Sequence, residues 1–196
     1  MAYRENKRYI LSQGDLDGAC FLYSIINAYI SLTVRRPGRQ GWGNKFYKRW
    51  DKAIAYIPHL TDFFICSSIN ENGGTGRYDD NACLFKLAVE RVLYEMSTQK
   101  EKGVFQVNIH EDRHHPSDIK KLISKNSVVI VCPDYEHWVV CVACKENPTI
   151  VYTACSAELH YFKEYNEIFH KPNNVYSNGV LSNRCSLGLA IQIVGK

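Results

Sequence analysis

From Ala19 to Ser31 the chain reads "ACFLYSIINAYIS", a segment that is apolar on nearly every face of a helix. A helix with one apolar stripe rests on a surface, whereas a helix apolar all round has to be enclosed. That requirement constrains the fold more than any other feature of the sequence. It demands packing partners on several sides. No run of about 18 apolar residues follows, so those partners are protein and no membrane span is expected. A chain of 196 residues suffices for one well-packed core, and a single domain over residues 1–196 is expected.

The rest of the first half also reads as helical. "RPGRQGWG" breaks the first helix, and a second is expected over about Asn44 to Tyr56, ahead of Pro58. A third is expected over about Asp79 to Ser97, with acidic residues in its first turn and apolar positions at 84, 87, 88, 92 and 93. The second half turns to strands. "GVFQVNIH" alternates, "SVVIVC" is a buried run, and "HWVVCVAC", "TIVYTAC" and "LGLAIQIVG" follow. "PSDIKKLISKN" is a short helix with Pro116 at its start, and "YSNGVLS" carries an Asn-Gly hairpin signal. The expected class is α+β, with N-terminal helices packed on a C-terminal antiparallel sheet.

Composition narrows the function classes. Content of 45% hydrophobic and 22% charged residues is that of an ordinary globular domain. The start, "MAYRENKRYI", is charged and has no apolar core, so the expected location is cytoplasmic, or outside by leaderless export as an effector. Eight cysteines without framework spacing read as thiols and not as disulfides. Cys141 and Cys144 are CxxC in letters only, because in a strand their side chains point to opposite faces. The basic stretch "RRPGRQGWGNKFYKRW", Arg35 to Trp50, has the residue types that contact nucleic acid. A solvated loop running into an amphipathic helix accounts for it better, so nucleic acid is not the expected partner. "NENGGTGRYDD", Asn70 to Asp80, lacks a Lys-Ser/Thr ending and reads as a connection, not a phosphate cradle.

The chemistry concentrates in "LSQGDLDGACFLYS". Cys20 stands where a Gly/Asp-rich turn becomes the buried helix. A thiolate there faces unpaired backbone N–H groups and the positive end of the helix dipole. Such placement, with an imidazolium nearby, lowers a thiol pKa from about 8.5 to about 3.5–7.5. A nucleophile needs a base. Of seven histidines, His137 in "PDYEHWVV" is the best placed, at a loop-to-strand junction anchored by the apolar residues behind it. Gln13, upstream across the turn, can fold back as a side-chain oxyanion donor beside the backbone N–H of Cys20.

This order, with Gln13, Cys20 at a helix start, a sheet-rich second half, "SVVIVC" and then "EHWVV", resembles the papain-like cysteine peptidase superfamily. It is especially similar to the compact bacterial branch that includes the peptidase domains of bacteriocin exporters. The likeness spans about Leu11 to Ser156. It implies a thiol hydrolase that acts on a protein or peptide through Cys20, His137 and Gln13, with no cofactor and no metal. Two departures stand out. The gap from Gln to Cys is seven residues where six is usual. The strand after the histidine ends near Cys155 and Ser156, where the family places an Asn or Asp to orient the imidazole; a hydroxyl or a backbone carbonyl would have to serve.

Three other readings compete. "DGACFLYS" also resembles the nucleophile motif of ovarian-tumour-type deubiquitinases, which would keep Cys20 and His137 and build the oxyanion hole from backbone. The missing orienter favours a papain-fold interaction module without catalysis. "HEDRH", His110 to His114, fits the HExxH zinc pattern, but that chemistry needs a helix, and the residues before it read as a strand.

Overall fold

Every residue of helix α1 (Cys20–Thr33) from Cys20 to Leu32 is buried, as the all-round apolar segment requires. The computed structural model describes residues 9–10, 20–33, 43–58, 82–111, 116–132, 138–143, 151–154, 163–164 and 189–196. Within them, α2 spans Gly43–Ala55 and α3 spans Ala82–Met96. The strands are β1 (Tyr9–Ile10), β2 (Phe105–His110), β3 (Ser127–Val131), β4 (Val139–Ala143), β5 (Val151–Ala154), β6 (Lys163–Glu164) and β7 (Ala190–Gly195). A short helix, α4 (Pro116–Leu122), lies between β2 and β3 in sequence. The result is an α+β arrangement, with N-terminal helices against a C-terminal antiparallel sheet. The Asn-Gly hairpin signal at 176–182 lies outside the described residues.

The main sheet has the order β2-β7-β3-β4-β5, and every neighbouring pair runs antiparallel. Its register sorts the side chains into two layers. Val107, Ile193 and Val128 stand opposite one another across β2, β7 and β3, and Ile191, Ile130 and Val140 do so one step along. All six belong to the core shared with the helices. The alternate residues Val129, Val131, Val139, Cys141 and Ala190 face the other way and pack on Ile119 of α4. Strand β3 is therefore buried on both sides, which explains why its sequence is a continuous apolar run and not an alternation.

Helix α1 is enclosed by α3 and by strands β3 and β4. Phe21, Ile25, Ile26 and Tyr29 are fully buried there, each worth about 1.5–3 kcal/mol for an aliphatic or aromatic side chain removed from water. The hydroxyl of the buried Tyr29 donates to Oε2 of Glu101 at 2.8 Å, and the same oxygen accepts the backbone N–H of Thr98 at 2.9 Å. One carboxylate thus ties the middle of α1 to the turn that leads into β2. From α2, Arg49 donates to the Met96 carbonyl at 2.9 Å, placing a cation at the C-terminal end of α3 where the dipole favours it.

The apolar stripe of α3 differs from the expected one. Phe85, Ala88, Val89, Val92, Leu93 and Met96 are buried, whereas Leu87 is 50% exposed. Position 87 is two residues from both Phe85 and Val89, which puts it on the opposite side of a 3.6-residue helix.

On the far face of the sheet, side-chain amides run in series. Gln106 donates to Asn108 at 3.0 Å, Asn108 to Gln192 at 3.1 Å, and Gln192 to the Leu122 carbonyl at 2.8 Å. That carbonyl, at the end of α4, also accepts from Ser127 at 2.7 Å, so the short helix is pinned where its last turn lacks backbone partners.

Ile130→Ala, in the centre of the shared core, is expected to lower unfolding free energy by about 2–5 kcal/mol in urea denaturation. Leu87→Ala, on the exposed side of α3, is expected to change it by less than about 0.5 kcal/mol.

Candidate functional site

Cys20 is the first residue of α1, the position its sequence context predicts. Backbone donors in a helix's first turn have no partner within the helix, so an oxyanion or thiolate there meets converging N–H groups. The residue is 3% exposed and sits in the core that also holds Phe21, Phe85 and Trp138. Among the described cysteines, Cys20, Cys83, Cys132 and Cys141 form no disulfide.

Gln13, His137, Cys155 and Ser156 lie outside the described residues, as do residues 35–42 and 70–80. Trp138, the immediate neighbour of His137, is described and is buried. Its ring centroid is 4.6 Å from that of Phe21, with the planes at 44°, and 5.5 Å from that of Phe85, with the planes at 45°. Phe21 and Phe85 meet edge to face at 5.2 Å. Three rings from α1, α3 and the start of β4 thus close on one another, a contact worth about 0.5–1.5 kcal/mol per pair beyond area burial.

A second link joins the same segments through the main chain. Ser24 Oγ donates to the Trp138 carbonyl at 2.8 Å in a buried position. Residue 21 follows Cys20 directly and Ser24 stands one helical turn after it. The chain beside Cys20 and the chain beside residue 137 therefore touch twice, once by ring and once by hydrogen bond.

Neither Ser24 nor Phe85 was singled out by the sequence reading. The signal for Ser24 was present: Cys20, Ser24, Asn27 and Ser31 recur at helical spacing along one stripe of α1, and all four are buried. Small polar residues in a helix otherwise apolar all round require named acceptors, and Ser24 finds one across the fold.

His110 is the last residue of β2, where it pairs with Ala190. The HExxH letters therefore begin in a strand, whereas zinc chemistry of that kind needs two histidines on one helical face. Cys141 packs at 0% exposure in the apolar layer under α4, opposite the face that carries α1. Among the described residues, no helix is long and apolar enough to cross a membrane.

No protein-family model and no curated protein sequence matches this chain. Among solved structures, it is similar to a double glycine motif protease from an AMS/PCAT transporter in complex with the leader peptide. The TM-score is 0.44 and the identity 13%, over 98% of this chain and 100% of that one. A likeness of that size carries no chemistry by itself, which has to come from the residues.

Phe85→Ala removes one of the three rings and is expected to cost about 3–5 kcal/mol of stability, measured by urea denaturation.

Proposed function

We propose that this protein is a papain-like cysteine peptidase or amide hydrolase, a single domain acting on a protein or peptide in a compartment that keeps thiols reduced. The observation that supports it best is the double contact of α1 with Trp138. It ties the segment that begins with Cys20 to the segment that follows His137, although more than a hundred residues separate them in sequence. In this reading Cys20 Sγ attacks the amide carbonyl while His137 accepts the thiol proton. Gln13 and the Cys20 N–H hold the resulting oxyanion. As the C–N bond breaks, His137 returns the proton to the leaving amine. Water, deprotonated by the same imidazole, then hydrolyses the thioester and restores the thiol.

Substrate has to part whatever covers Cys20 before the first step, because the residue is 3% exposed in its present state. That burial favours a second reading, a papain-fold module that binds partners without catalysis. The sequence of β5, "VYTA", also offers no Asn or Asp to orient an imidazole. An ovarian-tumour-type enzyme would use the same Cys20 and His137.

Alkylation by iodoacetamide, followed by peptide mass spectrometry, separates these readings. An active dyad labels Cys20 faster than Cys141 at pH 6.5, by at least about tenfold, and loses that advantage in His137→Ala. Labelling of Cys20 no faster than Cys141 assigns the inactive module. With a cleavable peptide in hand, Cys20→Ala is expected to keep the wild-type fold by circular dichroism and to lose more than about 10³-fold in turnover.

A further inference from the structure

We propose that Ser24 is a positioning residue for the reaction, its hydroxyl setting the spacing between nucleophile and base by holding the Trp138 carbonyl. The inference rests on the Cys20–His137 reading and adds to it the residue that keeps the pair in register.

Three observations converge on Ser24. It shares the helical stripe of Cys20, one turn along α1, so its oxygen and the thiol are carried by one rigid element. Its acceptor belongs to the residue that follows His137, at 2.8 Å, and the bond is buried. The ring of that same residue is held independently by Phe21 and Phe85. A ring contact alone leaves the main chain free to pivot about the indole, and a hydrogen bond alone leaves the ring free to swing. Together they fix both the place and the direction of residue 138, the residue that follows His137 in the chain.

The absence of an Asn or Asp in "VYTA" makes this constraint matter more. Where a carboxamide orients the imidazole, modest play in the backbone is corrected at the ring. Without a carboxamide the placement of the backbone matters more, and a misplacement of about 1 Å between reacting groups costs about 10²-fold. Ser24 does not reach substrate in this scheme. It acts through the Trp138 peptide.

The experiment is the rate of Cys20 alkylation by iodoacetamide from pH 5.5 to 8.5, read by mass spectrometry of the full-length protein, with exposed Cys83 as the internal reference. Ser24→Ala is expected to lower the Cys20 rate below pH 7 by about tenfold, toward that of His137→Ala, with Cys83 unchanged. Ser24→Thr, which keeps the donor, restores at least half of the wild-type rate. Ile193→Val, a core change on the same sheet face that leaves the bond intact, keeps the wild-type profile. If Ser24→Ala fails to fold by circular dichroism, Ser24→Cys, a weaker donor of similar size, takes its place with the same expected loss, fragment spectra separating labelling at residues 20 and 24.

A profile that His137→Ala alters and Ser24→Ala does not would overturn the role of Ser24 and leave the dyad standing. An equal loss in Ile193→Val would assign the effect to general loosening and overturn it as well. A profile that His137→Ala leaves unchanged removes the dyad, and the positioning role with it.

Discussion

The enclosure of α1 is the constraint on which the rest of the structure depends. A helix buried from Cys20 to Leu32 cannot lie on a surface, so α3 covers one side and the β3–β4 part of the sheet the other. Both flanking elements acquire their own second layers in turn. Helix α2 packs along α3 and caps its end through Arg49, and α4 covers the face of the sheet that α1 leaves open. The polar groups of α1 are the exception to its apolar character. Ser24 spans from the helix to Trp138, the residue just before β4, and Tyr29 spans to the turn before β2. The two bonds stand about a turn and a half apart along the helix and set the rotation of α1 about its own axis.

The same arrangement gives the start of α1, at Cys20, a rigid support. Dispersion and area burial act without direction, and a helix held by them alone slides and turns at small cost. Directed contacts at its first turn remove that freedom where it matters. The rings of Phe21, Phe85 and Trp138 come from three separate elements, so their mutual contact forms only when helices and sheet are assembled in one register. The contact between α1 and Trp138 is therefore a property of the completed core.

Much of the fold was legible in the sequence because the signals were periodic. The helices over about 44–56 and 79–97 and the strands "GVFQVNIH", "SVVIVC" and "LGLAIQIVG" all correspond to elements within a few residues. The exposed side of α3 was misread because Leu87 is as apolar as Leu84, and composition alone does not say which of two close stripes faces inward. Strand order was not legible at all. Nothing in "LGLAIQIVG" says that β7 inserts between β2 and β3, since pairing partners are chosen by long-range packing and not by local pattern. Of the site, Cys20 at a helix start was readable from the Gly/Asp turn before an apolar run. Ser24 was not, because a serine in a buried helix announces a need for an acceptor without naming it, and Phe85 reads as one more core residue of α3.

The place of β7 bears on how the chain acquires its shape. The strand between β2 and β3 is made of residues 190–195, so β2 and β3 have no common neighbour until those residues have been synthesised. Until then the ribosome displays two apolar ribbons with open edges, a state prone to mispairing and attractive to chaperones. A frameshift that spares every residue up to Leu189 would still remove an interior strand of the sheet rather than trim its rim.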